Sequence, residues 1–333
     1  MKPMLVIAAF SFWSALCGYE AKMRVVDDSG SPIQGARVAI EFVAPRQEKS
    51  VIHRGMTGTD GTFSAQGQSL HEVYMEAKKP GHYDARLYGL SPKKDHDQLI
   101  VVPRILDPVP LYAWDSRIGN AGRALHFPMQ AEWVGYDFEF GDWVSPHGKG
   151  KVTDLRFRFR NQFKGYDDSV KNLAEDIASS KRGYAARKEE WTEGKFKGDA
   201  GKWDAELHIS FSGEKEGLCE ETRFLDYSQL KLPHNAPVEG YMPTWRYTAS
   251  SYSLRTTRKN MGFFLRTRVK LDEKGEIVSA NYAKVVGDFQ LDARGFVMFA
   301  YYSNPTANER NLEFDPKKNL FPASLPGANV TEP

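Results

Sequence analysis

The chain has 333 residues, with 45 Lys and Arg against 43 Asp and Glu, so its length suits about two domains and its net charge gives no pull toward nucleic acid. An aromatic content of 13% leans to β-structure, because Trp, Tyr and Phe pack well on pleated surfaces. The two cysteines rule out a disulfide framework, and no apolar run of about 18 residues follows the N-terminus.

Lys2 precedes an apolar run from Met4 to Leu16 that ends among the small residues Ala15, Cys17 and Gly18. This run is too short to span a bilayer and suits a secretory signal peptide, so residues 1–18 are expected to be removed on export. The mature protein is then periplasmic, on the cell surface or secreted, with no transmembrane segment. Cys17 leaves a lipid anchor open as the lesser reading. After cleavage Cys219 is the only thiol, and it reads as a small buried hydrophobe.

Residues 19–106 read as short strands divided by turns, as in a sandwich with a strand every ~8–12 residues. Val25 and Val26 run into Asp27-Asp28-Ser29-Gly30, and Pro32-Ile33-Gln34-Gly35-Ala36 leads into a strand from Arg37 to Val43. There Val38, Ile40 and Phe42 alternate with Arg37, Ala39 and Glu41, which predicts one buried face. Thr59-Asp60-Gly61-Thr62-Phe63 holds an Asp-Gly pair suited to a tight hairpin. Val73, Met75 and Ala77 resume the alternation, and Lys79-Pro80-Gly81-His82-Tyr83 closes it. In this order the pieces resemble the carboxypeptidase regulatory-like family, a transthyretin-like sandwich related to immunoglobulin folds. The resemblance covers about a quarter of the chain. It implies a Greek-key β-sandwich in an extracytoplasmic setting, accessory to a larger neighbour and without an active site of its own. Asp27, Asp28 and Asp60 read as turn-formers ahead of calcium ligands.

Asp107-Pro108-Val109-Pro110 is a stiff extended segment that marks a boundary, with residues 107–333 expected to form a larger antiparallel domain of no recognised family. A strand from Val134 to Phe140 is predicted to turn Val134, Tyr136, Phe138 and Phe140 inward. Its hairpin partner runs from Lys151 to Arg160, with Leu155, Phe157 and Phe159 inward and Arg156, Arg158 and Arg160 outward. Asp137 and Glu139 are predicted to stand beside that arginine row. Arg266, Arg268 and Lys270 make a second basic row. Such rows suggest polyanion binding, but the nearby acids favour a solvated face of ion pairs. Ser169 to Ala178 is predicted as a helix, continued by a polar surface excursion to Lys202. From Glu206 to Phe211, Leu207, Ile209 and Phe211 point inward and His208 outward. Turns at Asp272–Gly275 and Asp292–Gly295 predict further hairpins, and the last dozen residues read as a frayed tail. The fold class is therefore all-β, a small sandwich followed by a larger antiparallel domain with one helical excursion.

The densest set of acid–base residues is Asp115, His126, Asp137, Asp142 and His147, whose spacing matches no ligand or triad pattern. Without a phosphate loop, a nucleophile elbow, a zinc-ligand set or a nucleic-acid motif, no catalytic residue, metal or cofactor is assigned. Two loops place aromatics beside polar groups: Trp143 to His147, and Tyr241 to Tyr247 with Trp245 and Arg246 between. Trp143, His147, Tyr241, Trp245, Arg246 and Tyr247 are the candidate ligand contacts, because rings of this kind stack on sugars and peptides. The competing reading places these rings in the core. The functional expectation is an exported, non-enzymatic binding or structural protein of the cell envelope, whose larger domain takes a glycan, an envelope polymer or a partner protein. The alternative is a hydrolase of extracellular polymer with its site in the C-terminal domain.

Overall fold

A computed structural model describes residues 18–44, 49–68, 71–91, 94–117, 125–166, 201–250, 258–293 and 295–333. Residues 1–17 of the expected signal peptide, the helix expected from Ser169 and its expected polar continuation as far as residue 200 lie outside them. The chain divides into one unit of Met1–Ile105 with Tyr227–Gln229, and a second of Leu106–Asp226 with Leu230–Pro333.

The described residues of the first unit form seven strands: β1 (Tyr19–Val26), β2 (Arg37–Phe42), β3 (Val51–Met56), β4 (Thr62–Gly67), β5 (Val73–Lys78), β6 (Ala85–Leu90) and β7 (His96–Val101). They form two sheets, ordered β4-β1-β7 and β3-β2-β5-β6. Val38, Ile40 and Phe42 lie opposite Ala77, Met75 and Val73 and share one core with Ala21, Met23 and Val25 of β1. The alternating residues are buried as expected because only one face of each sheet meets the other. The tight hairpin expected at Asp60-Gly61 is instead a turn between the two sheets, since β3 pairs with β2 and β4 with β1. Gly61 makes that turn at φ +77°, and a Cβ there would stand 2.5 Å from the Val25 carbonyl, so glycine is required. The Asp27 carboxylate accepts the amides of Ser29 and Ser31, Asp60 caps Thr62, and Asp28 pairs with Arg104. Asp27 and Asp60 thus act as turn-formers, whereas Asp28 serves as the partner of Arg104. β1 and β7 pair in parallel, a long-range contact that no local alternation announces.

The second unit holds β8 (Tyr112–Asp115), β9 (Leu125–His126), β10 (Trp133–Asp137), β11 (Asp142–Trp143), β12 (Leu155–Tyr166), β13 (Gly201–Ser210), β14 (Gly217–Glu221), β15 (Thr244–Ser250), β16 (Gly262–Leu271), β17 (Ile277–Val286), β18 (Gln290–Asp292), β19 (Phe296–Met298) and β20 (Ala300–Asn304). The sheets run β11-β10-β12-β13-β15, β14-β16-β17-β20-β8 and β18-β19-β9. Tyr136, Phe138, Phe157, Phe159, Phe263, Phe289, Phe299 and Tyr301 belong to one aromatic core that draws on all three.

Five expectations change in this unit. The strand expected over Lys151 to Arg160 is β12, which starts only at Leu155, after the turn held by Asp137, and runs on to Tyr166. The strand expected through Phe140 ends at Asp137, whose carboxylate accepts the amides of Glu139, Lys151 and Val152 and so turns the chain; Phe140 is 38% exposed. The expected excursion ends earlier than Lys202, because Gly201 and Lys202 already pair in β13. The strand expected over Phe296 to Tyr302 is divided into β19 and β20. The tail is docked, with Phe321, Ala328 and Val330 buried. It is held because the Trp114 Nε1–H donates to the Pro326 carbonyl at 2.8 Å and the Asn319 side chain bonds both the amide and the carbonyl of Ala113. No helix among the described residues is long and apolar enough to cross a membrane.

Candidate binding face

Over Leu155–Phe159 of β12 and Ala205–Ile209 of β13 the inward phase is apolar, so the pleat drives the intervening side chains to the outer face. Leu155, Phe157, Phe159, Leu207 and Ile209 are 0–1% exposed, and Arg156, Arg158, Arg160, Glu206 and His208 occupy the opposite phase. Register then aligns these residues across strands. Trp133 of β10 lies opposite Arg158, Arg158 opposite His208, and His208 opposite Arg246 of β15. A row of one aromatic and three nitrogenous side chains therefore crosses four strands.

The row is wired together. Trp133 is 40% exposed, and the guanidinium of Arg158 lies 4.7 Å from its ring centroid with that of Arg156 at 5.5 Å. Such cation–π contacts orient both arginines on the ring. Arg158 Nη2 donates to His208 Nδ1 at 3.1 Å, and since a guanidinium can only donate, that nitrogen carries no proton. His208 Nε2 then donates to Glu206 Oε1 at 2.6 Å, which holds the Glu206 carboxyl below the usual carboxylate range. Arg246, whose side chain is 64% exposed, also pairs with Glu206. Beside the row, Arg160, Gln162, Asp204, Glu206, Arg246 and Thr248 line a shallow depression of about 510 Å³.

The acids expected beside the arginine row are elsewhere. Asp137 and Glu139, with Asp154, surround Arg268: its Nε lies 2.8 Å from Asp154 Oδ1 and its Nη2 3.3 Å from Asp137 Oδ1, and Nη1 bonds Glu139. Burial raises the Asp154 carboxyl above the usual range even with Arg268 against it. Arg268 reaches this position because the β16–β17 register passes from Thr267 opposite Asn281 to Lys270 opposite Ser279, a bulge in which Arg268 takes φ +52°. The second basic row is thereby dismantled. Arg266 donates to the carbonyls of Lys215 and Val238.

Of the six candidate contacts, Arg246 alone lies in the outward row. Trp143 is 6% exposed and its Nε1–H donates to the His126 carbonyl. Tyr247 is 8% exposed with its hydroxyl on Asp288. Trp245 shares the inward phase of β15, packed against Phe263 with Arg258 5.1 Å from its centroid. Tyr241 bonds the Pro237 carbonyl and is covered by Arg266 at 4.3 Å. His147 is exposed but sits in a different loop. The acid–base set does not converge as a unit either: Asp115 pairs with Arg117, Asp142 accepts the amides of Trp143 and Lys149, and Asp137 caps its turn. The Cys219 thiol is half-buried, and burial raises its pKa.

No family model matches the chain, and no curated protein matches it. Among solved structures, the chain is similar to a Streptococcal ancillary pilin at 12% identity over 43% of this chain and 53% of that one, with a TM-score of 0.20. It thus spans about half the length of that pilin. It is also similar to a DUF3823 family protein from Parabacteroides merdae at 8% identity over 85% of this chain and 95% of that one, again with a TM-score of 0.20. Likenesses this slight leave the function to the residues themselves.

Trp133 is the contact that the alternation pattern passed over. A signal for it exists: it precedes Val134 and Tyr136, so it falls in the outward phase of a strand whose partner carries arginines at that same phase.

Proposed function

We propose that this is an exported, non-enzymatic binding protein of the cell envelope, and that its larger unit binds an anionic polymer on the outer face of the β11-β10-β12-β13-β15 sheet. The reading is carried by the cross-strand row Trp133, Arg158, His208, Arg246, with the exposed Arg160 beside it. Exposed guanidinium groups attract a polyanion and bond its oxygens in pairs, while an exposed Trp gives a flat apolar surface at low entropic cost. The first unit, with its resemblance to carboxypeptidase regulatory-like sandwiches, serves as an accessory module. Calorimetric titration of the full chain with anionic and neutral polysaccharides over a salt series tests this. Saturable binding that weakens with salt and is lost in the double variant Trp133→Ala, Arg158→Gln is expected. Failure to bind any anionic polymer at low salt sinks the reading, and release of shortened polymer would replace it with the hydrolase.

A further inference from the structure

We infer that the polymer is a carboxylated polysaccharide that lies across the strands, one sugar ring per strand, with its first ring on Trp133 and its carboxylates toward Arg158 and Arg246. This inference rests on the binding face proposed above and specifies its ligand.

The direction follows from spacing. Neighbouring strands are ~4.8 Å apart, close to the rise of one sugar in an extended chain, whereas successive outward residues along one strand are roughly 6.6 Å apart. A chain laid across the sheet therefore meets one row residue per sugar in the order Trp133, Arg158, His208, Arg246. A chain laid along β12 over Arg156, Arg158 and Arg160 falls out of step.

The chemistry follows from the company the cations keep. Asp204 and Glu206 line the depression next to Arg246. A densely charged sulfate or phosphate polymer would meet them as like charges. An acidic sugar meets them with hydroxyl donors, and Glu206 retains lone pairs beyond those used by His208 and Arg246. A guanidinium has five N–H donors, and the His208 bond occupies one of those on Arg158, so a carboxylate can be gripped there by two more. The exposed Trp133 ring completes the set by stacking on the apolar face of a sugar. Ring, hydroxyl and carboxylate occur together on a uronic acid.

The test is calorimetry on the full chain with oligogalacturonates of two to six sugars, with heparin as the sulfated comparator and dextran as the neutral one. Affinity should climb to the tetramer and then level off. Arg246→Ala should weaken tetramer binding about tenfold, and Arg160→Ala should weaken it less. Because the Arg246 side chain is 64% exposed, its removal leaves the fold intact. Heparin binding more tightly than every oligouronate, or Arg160→Ala costing more than Arg246→Ala, overturns the ligand or its direction and leaves the anionic-polymer reading in place. Failure of heparin and the oligouronates alike removes both.

Discussion

Arg156, Arg158 and Arg160 on β12 and Arg266, Arg268 and Lys270 on β16 are the same pattern in sequence, a cation at every second position. On β12 the pairing with β13 runs unbroken through this stretch and all three arginines stay on the outer face. On β16 the bulge after Thr267 swings Arg268 into three carboxylates, and Arg266 is tied to backbone carbonyls. Arg156 is likewise tied to a backbone carbonyl, that of Phe211, so the second row holds the fold and Arg158 and Arg160 of the first are what is left for a ligand. Alternation records only which residues share a phase, whereas the partner strand decides whether that phase persists.

The hardest test of this contrast is Arg268→Ala, which leaves Asp137 and Asp154, each side chain 1% exposed, without their cation. Unfolding by denaturant should show a loss on the order of 3–5 kcal/mol. The deficit should shrink as pH falls, because a buried carboxyl can then take a proton. A loss under about 1 kcal/mol would erase the distinction between the two rows.

Lys284 sharpens it from another side, as a fully buried cation with no hydrogen-bond partner among the described residues, set 4.6 Å over the Tyr302 ring. Burial lowers its pKa to about 7. Between that value and the ordinary lysine range the unfolded chain binds the extra proton, so stability should rise as pH rises through this window and stay level below it. Lys284→Met should gain roughly 2 kcal/mol at neutral pH and lose the rise. Thermal melts at pH 6 and pH 9 check both, and an unchanged pH slope in the variant counts against the assignment.

Trp245→Ala separates core from platform. With Trp245 packed on Phe263, its removal should cost about 2 kcal/mol of stability and leave polymer affinity unchanged. Lost affinity at retained stability would return binding to the Tyr241–Tyr247 segment. The smallest stability effect is expected at Arg158→Gln, under about 1 kcal/mol by denaturant unfolding, because Arg158 stands on a solvated face. Its polymer affinity should nevertheless fall, and with a shallower salt dependence than the parent.

The arginine row itself was legible, since Leu155, Phe157 and Phe159 demand the inward phase and leave the arginines no other. Trp143, Tyr247 and Trp245 were harder to place. A Trp or Tyr in a loop-like sequence looks the same whether it covers a core or stands free, and their burial depends on β11 and β15 joining the same sheet. Asp137 was assigned as a cross-strand partner because alternation treats each side chain as a passenger on its strand. In the structure its carboxylate ends the strand, competing for backbone amides as short acidic side chains do.

By itself the sequence determined the β-class, the hairpins at Asp272–Gly275 and Asp292–Gly295, and the phase of strands such as β2, β5, β12 and β13, because these depend on turn chemistry and a period of two within a few residues. Only the tertiary structure decided the parallel pairing of β1 with β7, the docking of the tail on Trp114 and Ala113, the capture of Arg268 and the alignment of Trp133 with Arg246. Each of these joins residues far apart in the chain, and such contacts form when distant apolar faces are buried together, an energy that no local window of sequence contains.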